Sequence, residues 1–145
     1  MTPERDKLPM ISAAVRVKAQ FYDLDPMQIV WHGNYVRFLE QARCALLDKL
    51  AFNYLEMSWT PYIWPIVDLR IKYVKPISFA QEVAVNAVLA EYENRIKIDY
   101  TIVDVASGET LSKAQTVQVA VHKERGETLF ESPEPLLAAV RRAMS

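Results

Sequence analysis

The sequence predicts an α+β domain in which one long helix is wrapped by an antiparallel sheet. Three observations carry this. Tyr35, Phe38, Leu39, Ala42, Leu46 and Leu50 form one apolar stripe at helical spacing. Segments of alternating polarity stand before and after that stripe. The later segments are joined by short connections, which suit antiparallel and not parallel neighbours. A single amphipathic helix cannot bury its stripe alone, and its nearest partner is the apolar face of the sheet that follows.

Residues 1–10 read as a loose arm broken by Pro3 and Pro9. Ser12–Tyr22 reads as a strand, with Ala13, Val15, Val17 and Ala19 on one face. Asp23–Gly33 is a loop, and Pro26 disfavours helical geometry at Asp25. Asn34 is the expected N-cap of the helix, which should end near Ala51, and Gly33 gives the chain freedom to enter it. Phe52–Tyr62 is aromatic and irregular, with one short helical turn at Tyr54–Ser58. Strands are expected over Ile63–Lys75, Glu82–Ala90, Arg95–Asp104 and Thr110–His122, with a short edge strand at Thr128–Glu131. In the first of these Val67, Leu69, Ile71 and Tyr73 share a face, and in the last Val117, Val119 and Val121 do. Ser132, Pro133 and Glu134 suit the N-cap, N1 and N2 of a final helix, Pro135–Ala143.

The 145 residues make one domain, 51% of it hydrophobic and 24% charged, which excludes a disordered chain. A net charge of −1 argues against a nucleic-acid partner, and no apolar run matches a membrane span. The polar N-terminus lacks a signal-peptide core, so the cytoplasm is the expected compartment. One cysteine, Cys44, excludes an internal disulfide, and two histidines without a Cys/His cluster argue against a metal site. Three glycines form neither a dinucleotide fingerprint nor a P-loop, and no GxSxG elbow is present.

The chemistry concentrates in FYDLDPMQIVWHGNYVRFLE, residues 21–40. A helix start presents unpaired backbone N–H groups and a partial positive charge. A carboxylate fixed just upstream, Asp25, has the placement of a nucleophile or general base, and the N–H groups around His32 and Gly33 that of an oxyanion site. Together they suit acyl transfer, including thioester hydrolysis. The same residues also read more plainly. Asp23 and Asp25 are common turn formers, His32 a structural hydrogen-bonding group, Tyr35 a packed ring, and Glu40 an ion-pair partner for Arg43 or Arg37. Trp31 suits the wall of a pocket as well as a core. Lys72, Lys75, Arg95 and Lys97 are candidate contacts for a phosphate-bearing tail, or a solvated face.

The run FYDLDPMQIVWHGNYVRFLEQAR resembles the D-x-D-x-x-G-x-V-x-H/Y-x-x-Y-x-x-x-x-E-x-A-R signature of hotdog-fold acyl-CoA thioesterases of the 4-hydroxybenzoyl-CoA thioesterase type. With the strand order that follows, the resemblance covers roughly residues 12–131. It implies a hotdog fold and a homo-oligomer, dimer or tetramer, with active sites at the dimer interface. It implies an acyl-CoA or acyl carrier protein thioester as substrate, and no metal or redox cofactor. It makes Asp25 the catalytic carboxylate and the His32 N–H part of the oxyanion hole. Tyr35 and Glu40 match positions that shape the site, and Trp31, Gly33, Trp64 and Val67 complete the expected substrate-binding set. The chain departs from the signature at Gln28, where the family has glycine; a positive φ there would place strain on Gln28. WPIVDLRIKYVKP and EYENRIKIDY are similar to a subgroup found beside fatty-acid or aryl-polyene biosynthesis enzymes, which favours a carrier-protein thioester. Two alternatives stay open: a dehydratase or hydratase of the same fold, using His32 and Glu40, and a non-catalytic acyl-binding oligomer.

Overall fold

The computed structural model describes residues 11–145; the expected N-terminal arm lies outside the described residues. Five strands form one antiparallel sheet in the order β1 (Ser12–Lys18), β4 (Glu82–Glu91), β5 (Ile96–Asp104), β6 (Thr110–Gln118), β3 (Ile66–Tyr73). The long helix α1 (Tyr35–Lys49) lies on this sheet and packs most closely on β1 and β4. Its stripe meets rows such as Val83, Val85 and Ala87 from β4 and Ile96, Ile98 and Ile102 from β5, all fully buried. α2 (Tyr54–Ser58) follows α1, and α3 (Glu134–Met144) adds the buried Leu136, Ala139 and Val140 to the same core.

Several boundaries move from the expected ones. The first strand stops at Lys18. Phe21–Asp23 instead forms a 3-10 turn, because the Gln20 N–H donates to the Asp23 carboxylate at 2.8 Å. Pro65 divides the expected Ile63–Lys75 strand, since proline cannot donate to a ladder. Tyr62–Ile63 (β2) pairs with Val121–His122 (β7), apart from the main sheet. The Thr110–His122 segment divides correspondingly, so no continuous valine face exists. Gln118, Thr116, Ala114 and Ser112 stand opposite Ile96, Ile98, Tyr100 and Ile102 on the helix side, and Val117 stands opposite Lys97. A bulge at Val67 breaks its row: Ile66 and Leu69 are the residues opposite Gln118 and Thr116. Thr128 makes one bridge to Val121 instead of opening an edge strand. Ser132 is not a cap, since its hydroxyl donates to the Tyr92 carbonyl and Pro133 takes the N-cap position.

α1 ends as expected. The N–H groups of Ala51 and Phe52 close on the carbonyls of Asp48 and Leu47 at 2.9 and 3.0 Å, a Schellman motif. Ala51 takes the left-handed position at φ 51°, where glycine is usual.

Candidate active site

The Asp25 loop is a small hairpin. Leu24 bridges Val30, the Asp25 N–H donates to the Ile29 carbonyl at 2.9 Å, and the Gln28 N–H donates to the Asp25 carbonyl at 2.9 Å. Pro26 occupies the second position of this turn, the one its fixed φ suits. Gln28 closes the turn at φ 66°, so the loop keeps the course a glycine would give it, at a cost of about 1 kcal/mol in backbone strain. The Met27 N–H donates to Asp25 Oδ1 at 2.8 Å, which orients the half-buried carboxylate. Its Oδ2 has no partner among the described residues.

The two acids of the loop therefore have different work. Asp23 is buried: its carboxylate binds the Gln20 N–H, and its carbonyl accepts from the Trp31 N–H and from Asn34 Nδ2, both at 2.9 Å. Asn34 is thus a brace across the loop and not the side-chain N-cap expected of it. A 3-10 turn, His32–Asn34, leads into α1 instead. The N–H groups of His32 and Gly33 at its start find no acceptor among the described residues.

Gly33 is required for space, not for backbone freedom. A Cβ there would lie 2.4 Å from a ring carbon of Trp31, whose indole folds over it. The Trp31 and His32 rings lie 5.3 Å apart, centre to centre, and both are exposed. The His32 ring makes no hydrogen bond among the described residues; its carbonyl accepts from the Tyr73 hydroxyl at 2.8 Å. Tyr73 is a site residue that sequence reading did not single out, although its place at the end of an alternating strand was evident. Tyr35 is a packed ring, edge-on to Tyr73 at 4.7 Å, and burial pushes its phenol up.

The other expected binding residues lie elsewhere in the protomer. Glu40 spends both carboxylate oxygens on Arg43, at 2.5 and 2.6 Å, the ion-pair alternative read from the sequence. Trp64 is buried further along, lining a hollow of about 460 Å³ with Arg43, Leu47, Met57 and Gln118. From Gly33 to Leu47 the helical rise amounts to roughly 20 Å. Val67 is exposed on its bulge. Of the candidate tail-binding cations, Lys75 pairs with Glu109 and Arg95 with Glu91.

The model of the thioesterase-like superfamily matches residues 19–140. The chain belongs to that family. It is 31% identical over 109 residues to the "Putative acyl-CoA thioesterase YneP" of Bacillus subtilis (strain 168), covering 74% of this chain and 78% of that one. A DHNA-CoA thioesterase structure from Staphylococcus aureus superposes with a TM-score of 0.74 at 28% identity, covering 82% of this chain and 80% of that one. A 4-hydroxybenzoyl-CoA thioesterase mutant, solved with 4-hydroxybenzoyl-CoA, shares the fold with a TM-score of 0.76 at 18% identity, covering 89% and 98%. The chain is a hotdog-fold thioester hydrolase. No helix among the described residues is long and apolar enough to cross a membrane.

Proposed function

We propose that the chain hydrolyses acyl-CoA thioesters with Asp25 as the catalytic carboxylate. One observation carries this reading. An oriented carboxylate precedes, in a braced loop, two N–H groups at the entry to the long helix; one carboxylate oxygen and both N–H groups have no partner among the described residues. Such N–H groups stabilise the oxyanion that forms as the thioester carbonyl is attacked. Asp25 either attacks that carbon itself or takes a proton from the attacking water. In both routes the C–S bond breaks, the thiolate is protonated, and one water is consumed. The Trp31 ring and the His32 imidazole stand beside the site as its wall.

The site needs a second copy of the chain. β3 is an edge strand exposing Ile66, Val67, Leu69 and Tyr73, a surface that calls for cover. Antiparallel pairing of two β3 strands about a point near Leu69 would set Tyr73 of one copy against Ile66 of the other. Tyr73 holds His32, and Trp64 precedes Ile66 by two residues. The Asp25 loop of one copy would then open beside the hollow of the other. This arrangement brings Trp64 and Val67 back to the site across the interface.

The test is thiol release from aromatic and aliphatic acyl-CoAs by wild type and Asp25→Asn. A loss of about 10³-fold or more in kcat, with unchanged melting, is expected. Near-full activity in Asp25→Asn overturns the mechanism. If folded wild type releases thiol only from acyl carrier protein thioesters, the carrier is the substrate's proper handle. Single-turnover hydrolysis in H₂¹⁸O tests the routes: general-base attack puts the label in the released acid, whereas direct attack, with water then adding to the Asp25 carboxyl carbon of the mixed anhydride, leaves the label in Asp25 and the acid unlabelled.

A further inference from the structure

The N–H groups of His32 and Gly33 each belong to a peptide unit that also carries a carbonyl. In a planar trans peptide the C=O and the N–H point in opposite directions, so holding the carbonyl aims the N–H. The His32 N–H shares its unit with the Trp31 carbonyl, which accepts from the Asn34 N–H at 2.8 Å. The Gly33 N–H shares its unit with the His32 carbonyl, and that oxygen accepts twice. One bond comes from the Tyr35 N–H at the end of the 3-10 turn, the other from the Tyr73 hydroxyl at 2.8 Å. Both lone pairs of the oxygen are then in use. Among the described residues, Tyr73 is the one partner of these two carbonyls that comes from another element of the fold.

The placement of Tyr73 is well determined. It stands at the end of β3 opposite Ser112 of β6, and the N–H groups of Val74 and Lys75 both donate to the Leu111 carbonyl at 3.0 Å. The segment just beyond holds the loop itself. The Val30 N–H donates to the Ile77 carbonyl at 2.8 Å, and Ile29 bridges Ser78. The strand end and the loop are therefore fixed in register. The Tyr73 ring is edge-on to the buried Tyr35 ring, and burial pushes its phenol up, so it is protonated at neutral pH. A carbonyl only accepts, so the hydroxyl proton points at His32. Hydrogen bonds in series polarise one another, by roughly 10–30% per bond. A donor on the His32 oxygen draws electron density along the peptide and leaves the Gly33 proton more positive.

We propose that Tyr73 is a positioning residue of the hydrolysis: through the His32 carbonyl it aims and polarises the Gly33 N–H, which joins the His32 N–H as a donor to the thioester oxyanion. Tyr73 itself touches no substrate. The inference rests on the thioester-hydrolase reading and adds to its oxyanion site a residue from a different strand, 41 positions along the chain. A packing role alone would need the ring and not the hydroxyl.

Tyr73→Phe keeps the ring and removes only the hydroxyl. Its kcat on acyl-CoAs should fall about 10- to 30-fold, less than deleting an oxyanion donor outright, with KM within about twofold and melting unchanged. Incorporating 4-aminophenylalanine at position 73 restores a donor and should recover most of the loss. A second readout needs no turnover. The chain holds three glycines, Gly33, Gly108 and Gly126, so ¹⁵N-glycine labelling gives three backbone signals, and Gly33→Ala identifies the first. In Tyr73→Phe the Gly33 amide proton should move upfield as it loses polarisation, while the other two stay in place. An unchanged kcat in Tyr73→Phe, a loss carried wholly by KM, no recovery with the amino analogue, or an unmoved Gly33 signal overturns the inference and leaves hydrolysis by Asp25 standing. Near-full activity in Asp25→Asn overturns the mechanism instead, and the Gly33 signal still reports whether Tyr73 polarises that peptide.

Discussion

The two ends of α1 are built on opposite principles. At the N-terminal end, groups are left unsatisfied: one oxygen of Asp25 and the N–H groups of His32 and Gly33 have no partner among the described residues, and the Trp31 and His32 rings are exposed. Along the C-terminal half the polar atoms are tied to one another. Arg43, Glu40, Gln118 and the Trp64 carbonyl form one chain, and Tyr100 and Thr116 share a hydrogen bond of 2.8 Å beneath the helix. The first end holds the proposed catalytic groups in a braced but open loop. The second closes its polar groups into the core beside the hollow lined by Leu47, Met57 and Trp64. Substitutions at the first should change rate with little change in stability, and substitutions at the second should do the reverse or change selectivity.

The sharpest way to break this contrast is to separate the ends onto different copies. Asp25→Asn and Cys44→Trp, a residue that fills the hollow from its lip, should each be nearly inactive. Mixed after unfolding and refolding together, they should recover about a quarter of wild-type activity, because half the dimers are mixed and each mixed dimer holds one intact site. No recovery would mean that the two ends do not form one site across two copies.

Gly33→Ala should lower kcat about 100-fold while shifting melting little. The added Cβ must push the Trp31 ring from the oxyanion groups, and displacements of about an ångström are worth roughly that factor. A near-normal rate would show that the indole can move without disturbing the N–H groups.

At the other end the effect should be on stability. Burial is the main reason that the Tyr100 phenol is pushed up to about 12 from an ordinary value of 10.0. The folded state then binds more protons than the unfolded chain between pH 10 and 12, so stability should fall across that window by about 2–3 kcal/mol. It should be fully present below pH 10. Denaturant midpoints measured from pH 9 to 12 check this, and Tyr100→Phe should flatten the decline. A decline of the same size in that variant would place its origin elsewhere.

The smallest effects concern backbone strain. Gln28→Gly and Ala51→Gly each relieve a left-handed residue, and each should gain about 0.5–1 kcal/mol in unfolding free energy. The first should also leave kcat within about threefold, since the turn already has the course glycine would give it. A large rate change on Gln28→Gly would show that the strained residue positions Asp25.

Much of this architecture follows from one-dimensional pattern. The stripe from Tyr35 to Leu50 and the alternation in β1, β4 and β5 set the α+β class, because the periods of helix and strand are written in which residues are apolar. The order of Asp25, His32 and Gly33 before that stripe likewise marked the loop on which the proposed mechanism rests. Boundaries set by single hydrogen bonds were not legible in this way. Asp23 capping Gln20, Asn34 bracing the Asp23 carbonyl, and Ser132 reaching Tyr92 depend on which partner a short polar side chain finds in three dimensions.

The inner face of β6 was hidden for a related reason. Ser112, Thr116 and Gln118 look solvent-facing in sequence, and they are buried because the Lys72 carbonyl, Tyr100, and Arg43 with the Trp64 carbonyl meet their respective polar atoms. The sequence by itself determined the periodicities, the loop chemistry and the family signature, all of which are local in the chain. Only the tertiary structure decided that Glu40 belongs to Arg43, that Trp64 lines the hollow beside Arg43 and Leu47, and that Tyr73 clamps His32. Those facts join residues dozens of positions apart, and burial with hydrogen-bond completion settles such pairings, which no local pattern encodes.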